Sequence, residues 1–338
     1  MTNEELCESI AGVISGYRNN EFGVYDAHHV KRWIEQFEVH ERSIVLKETN
    51  KILKNNFITQ KLFNNFIESA ISSPKIAGND KNSFWQNVSI LEIQKNGDSQ
   101  KELNELFCAQ LKDEYEVINP INKASNEFIY LDDFIFSGNR LYNDLQTWLT
   151  EKAPSKCSIT IITIGWYVYG QYNTENRLNK LLKNIDKNID IKFRSFERFR
   201  LENRLSGINR SEVFWPTSCI ESVDEIQSYL ESKDYAPKFR VPNGIKNRVF
   251  SRTRREEYEK IILKYGIKIL GFSRNNNKMV KPLGYHFFNE IGFGSTMFSF
   301  RNCPNNNPLV FWWGDPEAPA HRPFSKWYPL MQRNTYEN

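Results

Sequence analysis

Two adjacent carboxylates followed by a small polar turn are the residues of this sequence best suited to chemistry. Asp132 and Asp133 end an apolar run, and the turn Ser137-Gly138-Asn139 leads into a predicted helix. Ionised carboxylates only accept hydrogen bonds, so the pair suits the hydroxyl groups of a sugar. The free amides of a turn at a helix N-terminus suit a phosphate. The combination predicts a binding site for a sugar phosphate.

The elements that must position these residues follow the pattern of a parallel α/β sheet. Apolar and β-branched runs predict strands, and the segments between them predict helices. The predicted strands are 88–93, 128–131, 158–164 and 189–193, and the predicted helices are 100–112, 141–149 and 176–185. Alternating strands and helices indicate βαβ units, whose ligands bind at the carboxyl ends of the strands. The acidic pair lies at one such end.

A second segment that offers backbone amides to an anion follows the first predicted strand. It contains Lys95, Gly97 and Ser99, and Ser99 stands three residues before Glu102. That spacing predicts a capping box at the start of the next helix. A strand, a glycine turn and a capped helix form a weak signal, because many αβ units have such a turn without binding anything.

The amino-acid composition limits the classes to which the protein can belong. The 338 residues are 40% hydrophobic and 25% charged with a net charge of +4, which is ordinary for a globular protein. No apolar run approaches the roughly 20 residues of a membrane span, and the N-terminus lacks the features of a signal peptide. The five cysteines are scattered, and neither they nor the histidines have metal-ligand spacing. We therefore expect a cytoplasmic protein without a membrane partner or a metal site made by the protein alone.

Breaks in the hydrophobic pattern predict three segments. Apolar residues recur at helical spacing through residues 1–72, so 1–80 is predicted as an N-terminal helical subdomain. The range 81–236 is the α/β core, and 237–338 is a C-terminal α+β extension packed on that core. Ser222 with Glu225 predicts a further capped helix.

The C-terminal segment combines asparagine, proline and tryptophan. Asn302, Asn305 and Asn306 could hydrogen-bond a base or amide edge, and Trp312 follows them in an apolar run. Such a segment either lines a substrate pocket or locks the tail onto the body, since Asn and Pro are also default turn residues. Both alternatives stay open.

The densest basic cluster lies at residues 246–255 and has two interpretations. Thr253 and Glu256 predict a capped helix there, which places arginines in its first turn, where cations oppose the helix dipole. An anionic partner such as nucleic acid would explain that placement. A solvated charged face is the simpler explanation.

The segment from Asp132 to Arg140 resembles the phosphoribosyl-pyrophosphate signature of type I phosphoribosyltransferases. The resemblance implies a parallel sheet flanked by helices, with Asp132 and Asp133 on the ribose hydroxyls. It also implies that the residues from Ser137 to Arg140 surround the 5′-phosphate and that Mg²⁺ accompanies phosphoribosyl pyrophosphate. By order along the chain, the segment from Lys95 to Ser99 stands where the family has its pyrophosphate loop. Arg140 is a departure, because the family usually has threonine there.

More of the chain is similar to the phosphoribosyltransferase-like proteins of bacterial conflict systems, some of which are linked to retrons. The matching pieces are 30–37, 97–100, the acidic-pair strand, 282–285, 292–295 and 301–306. The resemblance implies an antiphage effector that binds a ribose phosphate or nucleotide and transfers or cleaves a ribosyl bond. A reverse transcriptase or non-coding nucleic acid would then be its partner. A non-catalytic module that senses a nucleotide or binds a partner is the alternative, and the oligomeric state is left open.

Overall fold

The chain forms two compact units. The computed structural model describes residues 1–95, 99–242, 247–273, 277–286 and 290–333. Unit 1 combines Met1–Gln60 with Asn203–Asn338, and unit 2 is Lys61–Glu202. The division into 1–80, 81–236 and 237–338 stays a prediction.

Helices and strands are numbered in chain order. The α-helices are α1 Asn3–Ile14, α2 Ala27–Ile34, α3 Arg42–Asn56, α4 Gln60–Ser72, α5 Pro74–Ala77, α6 Lys81–Asn87, α7 Ser99–Tyr115, α8 Asn139–Glu151, α9 Val168–Leu182, α10 Asp224–Glu231, α11 Arg255–Leu270 and α12 Leu309–Trp312. The strands are β1 Phe57–Ile58, β2 Ser89–Leu91, β3 Glu127–Ile135, β4 Lys156–Tyr167, β5 Asn188–Arg194, β6 Arg200–Leu201 and β7 Phe298–Ser299. Short 3₁₀ helices lie at Tyr17–Asn20, Glu197–Phe199, Leu205–Arg210, Ser218–Ser222 and Pro323–Lys326.

Unit 2 contains the predicted parallel sheet. Its strands lie in the order β2-β3-β4-β5, and the short β6 pairs with the end of β4. All of these pairs are parallel, with Ile129 opposite Thr160 and Asp132 opposite Thr163 across β3 and β4. The helices α7, α8 and α9 connect successive strands. The predicted α/β class with a parallel sheet flanked by helices is confirmed.

One face of this sheet packs on α8 and α9. Phe128 and Tyr130 of β3 share a hydrophobic cluster with Leu145 of α8 and Leu178 of α9. Because successive strand residues point to opposite faces, this alternation fixes the register of β3 beneath the helices. The packing places the start of α8 at the carboxyl end of β3, where the candidate site lies.

Unit 1 has its own core, in which the C-terminal segment packs on the N-terminal helices. The indole of Trp33 stacks on Phe311 with ring centroids 6.0 Å apart. The indole nitrogens of Trp33 and Trp327 both donate to the carbonyl of Val310, at 2.9 and 3.0 Å. The strands β1 and β7 form a separate parallel pair. Within unit 1 the tail is therefore held by buried aromatic rings and directed hydrogen bonds.

The structure corrects several local predictions. The helical region 1–72 is interrupted by β1, and α9 begins at Val168, well before the predicted start at Asn176. The residues before α10 and α11 are Val223 and Arg254, and neither helix has a side-chain cap, so the predicted capping boxes at Ser222 and Thr253 are wrong. The hydroxyl of Ser222 instead donates to the carbonyl of Cys219 at 2.9 Å, a local side-chain bond of the kind that competes with regular caps.

Two global properties complete the description. Among the described residues, no helix has the length and apolar character needed to cross a membrane. All five cysteines lie in the described ranges, and each is a free thiol.

Candidate functional site

The turn between β3 and α8 is built around a glycine that no other residue can replace without strain. Gly138 has φ 76° and ψ 0°, in the left-handed region. A Cβ at this position would lie 1.8 Å from Thr174 Oγ1 and 2.7 Å from the carbonyl oxygen of Gly170. A Cβ on Gly170 would likewise lie 1.8 Å from the carbonyl oxygen of Phe136. The turn therefore lies directly against the first two turns of α9.

The N-terminus of α8 presents free backbone donors beside this turn. Gly138 is its N-cap and provides no side-chain bond to the helix. The amide of Asn139 lies 3.4 Å from Ser137 Oγ, which is a long contact for a hydrogen bond. Within the described ranges, the amides of Arg140 and Leu141 donate to no protein acceptor. An uncapped helix start with aligned N–H groups attracts anions through the helix dipole.

Arg140 and Asp132 form an ion pair inside the predicted site. Nη2 of Arg140 lies 2.6 Å from Oδ1 and 2.9 Å from Oδ2 of Asp132. The side chain of Asp132 is 4% exposed, whereas that of Arg140 is 49% exposed. The negative charge of Asp132 raises the pKa of the Arg140 guanidinium further above its usual value. The residue that departs from the phosphoribosyltransferase signature thus neutralises the first of the two signature carboxylates.

The second carboxylate is bound by the residue that was predicted to cap α7. The hydroxyl of Ser99 donates to Oδ2 of Asp133 at 2.8 Å, and Asp133 is half-buried. Ser99 thus contacts the acidic pair, and its capping role stays a prediction. Nearby, the side-chain oxygen of Gln100 accepts the amides of Ile93 and Gln94, both at 3.0 Å, which fixes the path from β2 to α7.

The structure describes only part of the segment from Lys95 to Ser99, which was predicted to offer backbone amides to an anion. Lys95 is exposed, and its Nζ lies 3.4 Å from Thr147 Oγ1 of α8. Gly97 lies outside the described residues. Unit 2 thus brings Ser99, Asp132, Asp133 and the 137–140 turn to one end of the sheet, and Lys95 contacts the helix that starts there. The binding roles of all these residues stay predictions.

Three residues that surround the turn were not predicted from the sequence. Arg177 of α9 donates from Nη1 to Oδ1 of Asn139 at 2.7 Å, and its guanidinium lies 3.6 Å from the ring centroid of Tyr142. Thr174 donates to the carbonyl of Gly170 at 2.8 Å and also lies 3.3 Å from that of Gly138. The spacing of Gly170, Thr174 and Arg177 is the signal that could have found them, because it places all three on one helix face.

A buried carboxylate lies one helical turn beyond Arg140. Asp144 accepts a hydrogen bond from the hydroxyl of Tyr130 at 3.2 Å, and both side chains are buried. Burial raises the pKa of Asp144 above its ordinary value, and burial also raises the pKa of the Tyr130 hydroxyl well above its own. Tyr130 therefore remains a hydrogen-bond donor to Asp144 across the ordinary pH range.

The C-terminal asparagines belong to unit 1, where backbone and side-chain bonds engage the segment. Asn306 donates from Nδ2 to the carbonyl of Tyr285 at 2.9 Å, and Asn302 accepts from Arg333 at 3.2 Å. The carbonyl of Asn305 accepts the amide of Tyr285 at 2.8 Å, and the Trp312 indole donates to the carbonyl of Asn307 at 2.7 Å. These bonds favour the structural alternative, and the substrate role of Asn302, Asn305, Asn306 and Trp312 stays a prediction.

Most arginines of the basic cluster at 246–255 form ion pairs within unit 1. Arg255 and Arg240 both pair with the buried Glu259, at 2.9 and 2.6 Å. Arg254 pairs with Glu48 at 2.7 Å, and Arg248 with Glu212 at 2.8 Å. Lys246 lies outside the described residues. Arg248, Arg254 and Arg255 therefore have carboxylate partners inside the protein, whereas Arg252 is exposed, so the reason to expect nucleic acid there is weaker.

The side chains of the site can be tested for their fit to Mg²⁺. Within the described ranges, no three His, Cys, Asp or Glu side chains come together as a set of metal ligands. Asp132 is engaged by Arg140, and Asp133 by Ser99. Mg²⁺ often takes one or two carboxylates and completes its octahedron with substrate phosphates and water. These residues fit a cation carried by a pyrophosphate ligand and contacted by Asp133, and they do not fit a resident metal centre.

The fold and the site define a class of protein. A parallel sheet, an acidic pair at the end of a central strand and a glycine turn opening a helix are the features of a phosphoribosyltransferase-like protein. A family model described as PRTase-CE matches residues 30–333. The match spans most of the chain, so the chain belongs to the PRTase-CE family and is phosphoribosyltransferase-like. No curated protein and no solved structure matches it.

Proposed function

We propose that unit 2 binds a ribose-phosphate ligand at the carboxyl end of β3. The observation that carries this proposal is the position of Asp132 and Asp133 near the carboxyl end of β3, which a glycine turn and an uncapped helix start follow. Carboxylates and amides of this kind match the two ends of a ribose 5-phosphate, because hydroxyls donate and phosphate oxygens accept. The ligand is phosphoribosyl pyrophosphate or a nucleotide.

Calorimetry of the full chain tests this binding. We expect saturable heat with ribose 5-phosphate or phosphoribosyl pyrophosphate. Asp133→Asn should lose about tenfold to a hundredfold in affinity, since a carboxylate–hydroxyl bond is worth about 1.5–3 kcal/mol. Asp190→Asn is the matched control, because Asp190 is an exposed carboxylate elsewhere in unit 2. Equal affinity in Asp133→Asn and the wild type, or no binding by the wild type, would refute the proposal.

Ribosyl transfer is the activity that this ligand would support. A bound Mg²⁺ would neutralise the leaving pyrophosphate of phosphoribosyl pyrophosphate. The protein's part is to position the ribose and to place negative charge near the anomeric carbon as positive charge develops there. Release of pyrophosphate in the presence of a nucleotide or nucleic-acid acceptor, followed by phosphorus NMR, would measure it. Turnover that survives Asp132→Asn/Asp133→Asn would exclude this site as its source.

A non-catalytic sensor is the second candidate, and the Arg140–Asp132 ion pair favours it. One of the two carboxylates that should receive ribose hydroxyls is 4% exposed and already engaged by a guanidinium. A site of this kind binds a phosphate without needing the geometry for displacement of pyrophosphate. Binding of a nucleotide without any release of pyrophosphate, base or ribose over hours would support the sensor. Measurable release abolished by the double variant would support the enzyme.

We place this activity in the cytosol, in an antiphage defence system of the retron kind. Support comes from the sequence pieces shared with phosphoribosyltransferase-like conflict proteins, and from free rather than paired cysteines. Cells that carry the chain with its neighbouring genes should resist phage, and Asp132→Asn/Asp133→Asn should remove that resistance at unchanged protein level. Affinity purification should recover a reverse transcriptase or a structured non-coding RNA. Undiminished resistance in the double variant would separate defence from this site.

A further inference from the structure

Arg177 is held rigidly at the side of the turn. Its Nη1 donates to Oδ1 of Asn139, the first residue of α8, at 2.7 Å. Its guanidinium lies over the ring of Tyr142, 3.6 Å from the ring centroid, and the side chain is half-buried. A stacked and hydrogen-bonded guanidinium has lost much of its rotamer freedom, so its position is set before any ligand arrives.

This guanidinium has no opposing charge in the part of the chain that the structure describes. Arg140 pairs with Asp132, whereas no carboxylate lies within ion-pair distance of Arg177. Arginine carries five N–H donors, and one bond to a neutral amide oxygen leaves most of them for another acceptor. A preorganised cation with spare donors is suited to phosphate, which guanidinium groups bind through two parallel hydrogen bonds.

The packing of α9 explains why this cation lies at the turn. Gly170 contacts the backbone of Phe136, and Thr174 hydrogen-bonds to the carbonyl of Gly138. Arg177 comes one turn later on the same face, since residues at spacings of three and four share a helix face. Gly170, Thr174 and Arg177 therefore lie alongside the backbone that leads from β3 into α8.

We propose that Arg177 is the phosphate-recognising cation of the site and that it selects phosphorylated over unphosphorylated ribose ligands. This inference rests on the proposed ribose-phosphate binding and identifies the side chain that recognises the phosphate. Arg140 is compensated by Asp132, so the net positive charge beside the free amides of α8 comes from Arg177. The expected ligand is a phosphate monoester of ribose in its dianionic form, bound by the α8 amides on one side and Arg177 on the other.

The test compares ribose 5-phosphate with ribose by calorimetry, using four proteins. Arg177→Ala should weaken ribose 5-phosphate about tenfold to a hundredfold, the range expected for hydrogen bonds to a charged group. Arg177→Lys should keep part of that affinity because it keeps the charge. Arg177→Gln should behave like alanine, and it keeps a donor for Asn139 if the alanine variant folds poorly. The weak affinity for ribose should not change in any of them.

Arg200→Ala is the matched control, because Arg200 also lies over an aromatic ring of unit 2, 4.9 Å from the centroid of Trp166. The pH dependence of the affinity for ribose 5-phosphate is a second readout. Wild-type affinity for ribose 5-phosphate should rise between pH 5 and 7 as the phosphate gains its second charge near a pKa of about 6, and this rise should shrink in Arg177→Gln.

The outcomes separate the two proposals. Equal affinities of the wild type, Arg177→Ala and Arg177→Gln would overturn the role of Arg177 and leave ribose-phosphate binding intact. Absence of binding by the wild type would overturn both proposals. A parallel loss for ribose and ribose 5-phosphate would show a structural role for Arg177 and would also overturn the inference.

Discussion

Nη2 of Arg140 contacts both carboxylate oxygens of Asp132, at 2.6 and 2.9 Å. The two residues are eight positions apart in the sequence, on either side of the turn that opens α8. The ion pair therefore closes the loop between the end of β3 and the first turn of the helix. A change in the charge of either residue should therefore also change the stability of this loop.

Removal of this cation should destabilise the protein. Arg140→Thr leaves a carboxylate that is 4% exposed without its counter-charge. We expect the free energy of unfolding to fall by about 1–3 kcal/mol, the cost of a lost charged hydrogen bond at a buried acceptor. Lys192→Thr is the control: Lys192 is also 49% exposed, but its partner Asp190 is 60% exposed, so little should change. Urea unfolding measures both, and equal losses would contradict the prediction.

The same substitution should change how the site responds to Mg²⁺. In Arg140→Thr, Asp132 loses the guanidinium that neutralises it. A carboxylate without this counter-charge repels phosphate and attracts a divalent ion. The ratio of affinities for phosphoribosyl pyrophosphate with and without Mg²⁺ should therefore be larger in Arg140→Thr than in the wild type. Calorimetry at matched ionic strength measures this ratio, and an unchanged ratio would show that Arg140 does not act on the cation.

The glycine of the turn should be far less replaceable than one on an open helix face. Gly138→Ala introduces a Cβ 1.8 Å from Thr174 Oγ1 and forces alanine to φ 76°. The left-handed backbone alone costs about 1–2 kcal/mol, and the clash adds to it. Gly12→Ala in α1 meets nothing within 4 Å and should be neutral or stabilising by up to about 1 kcal/mol. Thermal unfolding of the two variants compares these effects, and similar melting temperatures would be the contrary result.

The strands, and the position of the acidic pair on one of them, could be predicted because their signals are local. An apolar β-branched run such as 158–164 has few structural alternatives, and the acidic pair follows another such run directly. Strand ends were harder to predict, because β4 continues to Trp166 and Tyr167 by pairing with Arg200 and Leu201, which are distant in sequence. A pairing partner that is distant in the sequence produces no signal among the residues next to the strand.

The contacts that were not predicted also join distant residues. The hydroxyl of Ser99 donates to Asp133, which is 34 positions away, so no residue near Ser99 in the sequence indicates this contact. Arg177 lies on the helix after the neighbouring strand, and only the packing of α9 on α8 brings it to Asn139. Arg248 and Arg254 suggested a ligand because their carboxylate partners, Glu212 and Glu48, are distant in the sequence.

Asp144 should make stability depend on pH. Burial raises its pKa above the ordinary value of 3.8, so the folded state holds this proton more tightly than the unfolded state. That contribution to stability is complete below pH 3.8 and is lost as the pH rises through the raised pKa. Asp144→Asn keeps an acceptor for the Tyr130 hydroxyl without the charge, so its stability relative to the wild type should increase from pH 3.5 to 7.

Urea unfolding across that pH range measures the difference between the two proteins. Asp190→Asn is the control, because the exposed Asp190 should give no comparable change with pH. A constant difference between Asp144→Asn and the wild type would show that the buried carboxylate does not couple to folding.

Glu259 should be among the most sensitive positions of unit 1. It is fully buried and pairs with Arg240 at 2.6 Å and Arg255 at 2.9 Å, which are themselves 1% and 4% exposed. Glu259→Gln leaves two buried guanidinium groups without a negative charge, and the loss of one partner of a buried pair costs about 3–5 kcal/mol. Glu257→Gln, two residues earlier, removes an exposed pair with Lys260 and should cost at most about 1 kcal/mol. Urea unfolding should therefore separate these two glutamates clearly. Similar losses would mean that Glu259 does not neutralise Arg240 and Arg255 in the folded protein.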